Sequence, residues 1–203
     1  MTKQKVLLDQ AIPMADITDI ITKGGANTCG AEVIYRIGIS STQVKVREMD
    51  PSTARFEEKL SFNLGQVVPK AFLEVLQELG IRHRLAIAEG VTSYKIVEAL
   101  NAIEVLSGEI LEVPSEGTLA PDSFEIRQGD DRQALLIKMK AAQEAILSEA
   151  WDQRAEGLPL ASREDALILA SIIEKEAATK LEMPIIAGVF YNRINQNMLP
   201  NLS

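Results

Sequence analysis

From Asp130 onward, apolar residues recur every three or four positions, and this change of period narrows the fold more than any other feature. Leu135, Met139, Ala142 and Ile146 fall on one helical stripe that runs to about Trp151. Leu158-Pro159 breaks it. Ser162 followed by Asp165 is an N-terminal cap with acids in the first turn, which predicts a helix from about Glu164 to Thr179. Pro184 then opens a last helix, with Ile185, Ile186, Val189 and Phe190 expected as its core side.

The first third of the chain has a different grain, of short strands and short helices. Val6-Leu7-Leu8 is strand-like, and Met14, Ile17, Ile20 and Ile21 have helical spacing closed by Gly24-Gly25. Val33 to Ile39 is a short apolar run, Met49-Asp-Pro-Ser52 is a turn by composition, and Leu60 to Leu64 alternates as a strand. Pro69 starts a helix on Phe72, Val75, Leu76 and Leu79, with Gly80 at the C-terminal cap. Arg82 to Ala88 sets basic residues against His83, Leu85 and Ile87, the pattern of a half-buried strand. After Glu89-Gly90, Thr92-Ser93-Tyr94-Lys95 opens a helix carried by Ile96, Val97, Leu100 and Ile103. A loop marked by proline and glycine, from Pro114 to Phe124, follows. The fold class is therefore α+β: a small strand-and-helix part, residues 1–85, ahead of a mainly helical part, residues 86–203.

Composition excludes several functions. The net charge of −8 works against nucleic-acid binding, and no basic run is interleaved with aromatics. Cys29 is the single cysteine, so neither an intrachain disulfide nor a cysteine-rich zinc site can form. His83 is the single histidine, which rules out a three-histidine zinc site and leaves any Ser-His-Asp triad dependent on it. Flanked by Arg82 and Arg84, it reads as a surface-strand residue and not a catalyst. No stretch approaches the roughly 20 apolar residues of a membrane helix, and Met1 to Gln10 lacks the apolar core of a signal peptide.

One acid stands out against this background. In the helix Ala166 to Ala177, at about 100° per residue, Glu176 points within about 60° of Leu169, Ile172 and Ile173, while Glu174 points about 160° away from Glu176. A carboxylate on an apolar stripe is costly unless it is paired, lines a cleft or keeps its proton, and a retained proton is what a general acid requires. Alternatively, Glu176 reaches solvent at the helix end or pairs with Lys175, Lys180 or Arg193.

The same helix carries a resemblance. Leu169-Ala-Ser-Ile-Ile-Glu-Lys-Glu-Ala177, then Val189-Phe-Tyr-Asn-Arg193, together with Glu116-Gly-Thr-Leu-Ala-Pro-Asp122, Glu89-Gly90 and Gly157-Leu-Pro159, resembles the endolytic murein transglycosylase (YceG-like) family in order and spacing. The resemblance implies a lytic transglycosylase that cuts the MurNAc–GlcNAc bond within peptidoglycan strands and leaves 1,6-anhydro-MurNAc ends. It makes Glu176 the single catalytic acid/base, with no metal and no cofactor. Asn192, Arg193, Glu116 and Asp122 are then candidate substrate ligands. Arg193 can equally cap or pair at a helix surface, Asp122 can hold the turn after Pro121, and Tyr191 can be core or sugar platform. Implied partners are peptidoglycan strands and cell-wall synthesis proteins, at the periplasmic face of the bacterial inner membrane. The family's N-terminal anchor has no counterpart in this sequence. Residues 1–85 take the place of its LysM-like domain, and the catalytic domain is expected to be incomplete at its C-terminus. The competing reading is a truncated, non-catalytic module that docks on peptidoglycan or on the cell-wall machinery. A pyridoxal-phosphate lyase is disfavoured, because no Gly-rich phosphate loop accompanies any lysine.

Overall fold

The computed structural model describes residues 31–50, 52–53, 55–77, 81–196 and 198. The expected strand at Val6-Leu8, the helix at Met14–Ile21 and Cys29 lie outside these residues, as do Leu79 and Gly80. The described residues form strands β1 (Glu32–Ile37), β2 (Thr42–Asp50), β3 (Arg55–Asn63), β4 (Arg82–Ile87) and β5 (Ser123–Ile126). The helices are α1 (Lys70–Val75), α2 (Ser93–Ala102), α3 (Arg132–Asp152), α4 (Arg163–Glu176) and α5 (Met183–Asn195). The α+β class holds. They divide into two compact units: one runs to Glu116 and takes in Ala120–Ile137, and the other comprises Gly117–Leu119 and the chain from Lys138.

The first unit is built on one five-stranded sheet in the order β3-β2-β1-β4-β5. Its central pair, β1 and β4, is parallel, with Glu32 opposite Arg82 and Ile37 opposite Ile87; the other pairs are antiparallel. The sheet thus takes strands from both sides of residue 86. Strict alternation sends Val33, Tyr35, Ile37, Val44, Val46, Leu85 and Ile87 to one face, all buried. Helix α2 lies against β1 and adds Ile96, Val97 and Leu100 to that core. Fully burying such a side chain contributes about 1.5–3 kcal/mol.

His83 corrects the surface reading. It shares the buried face, pairs in register with Val33, and is only 9% exposed. Its ring stacks on Tyr35 with centroids 6.2 Å apart, and its Nδ1 has no hydrogen-bond partner among the described residues. Burial pushes its pKa below the ordinary 6.5. Tyr35 is pushed up to about 12 by the same burial, with Glu104 adding to it. On the opposite face, Glu32 is 2% exposed and is held by Arg47 at 2.6 Å and by Arg84 at 2.9 Å.

Arg132, at the start of α3, is the main polar tie in this unit. Its buried guanidinium donates to the carbonyls of Leu100 and Ile103, each at 2.6 Å, and to those of Gly108 and Asn101. Leu100 and Asn101 belong to the last turn of α2, Ile103 is its C-cap, and Gly108 lies in the loop beyond, so one guanidinium ties the end of the helix to the loop that follows it. Nearby, the Asn101 amide donates to the Ile110 carbonyl and its oxygen accepts from the Ile110 N–H, as a strand partner would. Asp131 Oδ1 accepts from the Ala134 N–H and caps α3.

The second unit is helical. The predicted cap of α4 is a full capping box: Ser162 Oγ accepts from the Asp165 N–H at 3.1 Å, and Asp165 returns a bond to the Ser162 N–H at 2.9 Å. The helix stops at Glu176, three residues before the expected end, because Ala177 is extended and Glu182 takes the Ala178 N–H. Two expected core assignments fail. Ile146 on α3 is 53% exposed, although Leu135 and Met139 on the same stripe are buried. On α5 no residue is buried, and Ile185 and Val189 are exposed. The reason is rotational: Met183, Pro184, Ala187 and Tyr191 share concavities with α4, so Ile185 and Val189 point away from it.

Candidate active site

Sequence reasoning placed five residues at a cleavage site, and the structure distributes them over both units. Glu116 and Asp122 belong to the sheet unit; Glu176, Asn192 and Arg193 belong to the helical one.

In the helical unit, the apolar stripe of α4 is real, since Leu169 and Ile173 are buried. Glu176, however, is the last helical residue, and its side chain is exposed, as is that of Glu174. Of the two readings of Glu176, the structure displays the one in which it reaches solvent at the helix end, where the apolar stripe runs out. Glu174 is the acid that lines a shallow groove of about 420 Å³, with Ala170, Ile173, Met183, Pro184 and Ala187. Ser171 is turned back on its own helix, donating to the Ile168 carbonyl at 2.8 Å.

Helices α4 and α5 form an antiparallel pair. Met183, Pro184 and Ala187 line a groove with Ala170, Ile173 and Glu174, and Tyr191 lines a cavity with Ala166, Leu169, Ala170 and Ile173. Asn192 and Arg193 follow Tyr191 near the C-terminal end of α5. Both are exposed, and neither side chain makes a hydrogen bond or ion pair among the described residues. Tyr191 lines a cavity of about 260 Å³ with Leu147, Trp151, Leu158, Leu160 and Leu169. Trp151 also carries the Arg154 guanidinium over its ring at 4.2 Å. Sequence reasoning assigned no role to Trp151; a lone aromatic in a helical stripe carries no signal of its own.

In the sheet unit, both loop acids serve the backbone. The Glu116 carboxylate accepts from the Ser93 N–H with both oxygens, at 3.1 and 3.0 Å, while Ser93 Oγ donates to the Ser115 carbonyl. With Thr92 accepting from the Lys95 N–H, the first turn of α2 is doubly capped, and Glu116 places its negative charge at the positive end of that helix. Asp122 Oδ1 accepts from the Ser123 N–H at 2.6 Å, and the Asp122 carbonyl accepts from the Ile87 N–H, which fixes β5 onto the end of β4. The turn-holding reading of Asp122 is thus the one the geometry displays. Among the described residues, no group of three or more His, Cys, Asp or Glu side chains is arranged to hold a metal ion. None of the described helices is long and apolar enough to cross a membrane.

Comparison with known proteins adds what the geometry leaves open. A model described as the YceG-like family matches residues 61–202. Two proteins from strains of Streptococcus pneumoniae, each named endolytic murein transglycosylase, are 34% identical to this chain over 84 residues. That stretch is 41% of this chain but 15% of each relative.

Proposed function

Because the chain belongs to the YceG-like family, we propose that it is a lytic transglycosylase acting within murein glycan strands, with Glu176 as its acid/base. The observation that carries the reading is the family match running unbroken through α4 and α5, the helices that present Glu174, Glu176, Asn192 and Arg193. The activity is inferred from relatives of which the match spans 15%.

The chemistry needs one carboxyl group. Glycoside hydrolases use a second carboxylate as nucleophile or base. Here the C6 hydroxyl of the MurNAc residue attacks its own anomeric carbon. Glu176 first donates a proton to the departing glycosidic oxygen and then takes the proton of the C6 hydroxyl as the 1,6-anhydro ring closes. Water is not consumed. The exposed end of α4 supports this reading, because a polymer can reach Glu176 from solvent. Asn192 and Arg193 are exposed on α5 and can contact the strand beside the cut. Glu116 and Asp122 support the loop and helix that they bond. The natural setting of this activity is the periplasm, where murein lies.

Incubation with purified murein sacculi should release 1,6-anhydro-muropeptides, scored by mass. Glu176→Gln should abolish release, and Glu174→Gln should retain most of it. Equal losses from the two substitutions would refute the assignment of Glu176. Co-sedimentation with sacculi without any anhydro product would favour the non-catalytic docking module instead.

A further inference from the structure

The chain is acidic overall, yet one face of its sheet is basic. On the face opposite the core, β1, β2 and β4 present Arg36, Lys45, Arg47 and Arg84. Ile34 has Lys45 as its neighbour on one side and Arg84 on the other, and Arg47 sits one step along, opposite Glu32. Cross-strand neighbours on one face are about 5 Å apart, so the four cations share a small patch. Three of them, Arg36, Lys45 and Arg47, line an open cleft of about 500 Å³, whose apolar walls are Ile34, Phe56 and Ala86.

The charges in this cleft are unequally committed. Lys45 is paired with Glu58 at 2.7 Å, and Glu58 also lines the cleft. Glu32 binds both Arg47 and Arg84 from beneath but is 2% exposed, so an incoming cation cannot reach it. Arg47 is further fixed by stacking 4.4 Å over the Phe56 ring. Arg36 is exposed and has no acidic partner among the described residues. The result is a surplus of positive charge, held rigid on strands beside aliphatic and aromatic walls. A rigid fork spends little entropy on binding a carboxylate, and the walls suit short aliphatic side chains. A neutral sugar polymer would leave this charge unused. A polyphosphate would leave the apolar walls unused.

We propose that this cleft binds the acidic peptide stems of murein through their free carboxylates, Arg36 making the first contact. The identity of the peptide rests on the murein reading above; the basic cleft does not. Arg36, Lys45 and Arg47 precede residue 61 and lie outside the matched residues, whereas Arg84 and Ala86 lie within them. The cleft would hold the peptide side of the polymer while the glycan is cut elsewhere.

The test is calorimetric titration of the full chain with a purified murein tetrapeptide stem and with the same peptide amidated at its carboxylates. Saturable binding of the acid form is expected. It should weaken about tenfold in Arg36→Glu, the loss of one charge-assisted contact. Raising NaCl from about 50 to about 300 mM should weaken it about threefold. Lys59→Glu, the same charge change on an exposed β3 residue outside the cleft, should bind as the unsubstituted chain does. Matching thermal melts establish that both variants fold. Absence of saturable binding, equal binding of the amidated peptide, or equal binding by Arg36→Glu overturns the proposal, as does tighter binding of an inorganic polyphosphate. Binding is read without any cleavage: peptide capture with no anhydro product sinks the enzymatic reading alone, and cleavage with no peptide capture sinks this one alone.

Discussion

Replacing Arg132 by Met removes the guanidinium from the C-terminus of α2 while keeping most of the side chain's volume. The magnitude follows from what is left behind. Of the four carbonyls that lose a donor, those of Leu100 and Ile103 are bonded in a buried setting, and those of Gly108 and Asn101 are near enough to the surface to take up water. A buried acceptor left without a partner costs about 1–3 kcal/mol. Neither carbonyl is wholly orphaned, because Leu100 still accepts from the Ile103 N–H and Ile103 from the Leu106 N–H, both at 3.3 Å. Those long bonds place the cost in the lower half of the range for each, and the loss of a cation at the negative end of α2 adds about 0.5–1 kcal/mol. The sum is about 3 kcal/mol, a large part of the 5–15 kcal/mol that holds a domain together. In urea unfolding followed by circular dichroism, with m near 2 kcal/mol/M, the midpoint should fall by about 1.5 M. Amide exchange in α2 should accelerate by about two orders of magnitude, while α4 amides serve as the internal reference. Arg132→Lys should recover less than half of the loss, since an ammonium cannot span four carbonyls held in a fork. A midpoint shift below about 0.3 M for Arg132→Met, or full recovery by Lys, would refute the capping argument.

Three further outcomes follow from the same structure. His83 is neutral in both states above its ordinary pKa of 6.5; below that the unfolded chain takes up a proton that the buried ring resists, so stability falls as pH falls and levels off below the depressed folded value. It is the single histidine, so His83→Phe should flatten the unfolding midpoint between about pH 6.5 and 5, and an unchanged slope would count against the burial account. For Glu32, burial pushes the pKa up, but the bonds and charges of Arg47 and Arg84 pull it lower still, to a net value below 4.5. Its contribution is therefore complete above 4.5 and lost as pH falls through the lower folded value; Glu32→Gln should cost about 1–2 kcal/mol at neutral pH and nothing in strong acid. Ser162→Ala should destabilise the helical unit by about 1 kcal/mol, measured as the shift in Trp151 fluorescence on unfolding, whereas Ser162→Asp should be nearly neutral.

What the sequence made legible was set by local signals. The capping box at Ser162, the proline start of α5 and the turn at Asp50 each depend on contacts within three residues, and each is where it was expected. Strand β2 went unread, although Val44 and Val46 alternate with Gln43, Lys45 and Arg47. Its buried positions are two, and only pairing with both β1 and β3 makes it a strand. His83 was misjudged from its arginine neighbours, while the alternation around it had already put it with Leu85 and Ile87. Glu176 shows the reverse case: its angle on the helix was read correctly, but burial is decided by what stands opposite, and α4 ends there. Glu116 and Arg132 bond across 23 to 32 residues, a range on which periodicity is silent.

The parallel pairing of β1 with β4 has a bearing on how the chain reaches its fold. Strands β1, β2 and β3 are consecutive and antiparallel, so they can assemble from neighbouring residues within microseconds. The partner on the other side of β1 begins 50 residues downstream of it, at Arg82, and lies beyond α1. During synthesis, at about 5–20 residues per second, the inner edge of β1 therefore stays unpaired for some seconds while Val33, Tyr35 and Ile37 await cover from β4 and α2. That is an interval in which a nascent three-stranded meander with an apolar face and an open edge can recruit a second chain. The basic side chains on the opposite face of β1 and β2 weigh against pairing at that edge, because a second copy added there brings like charges side by side.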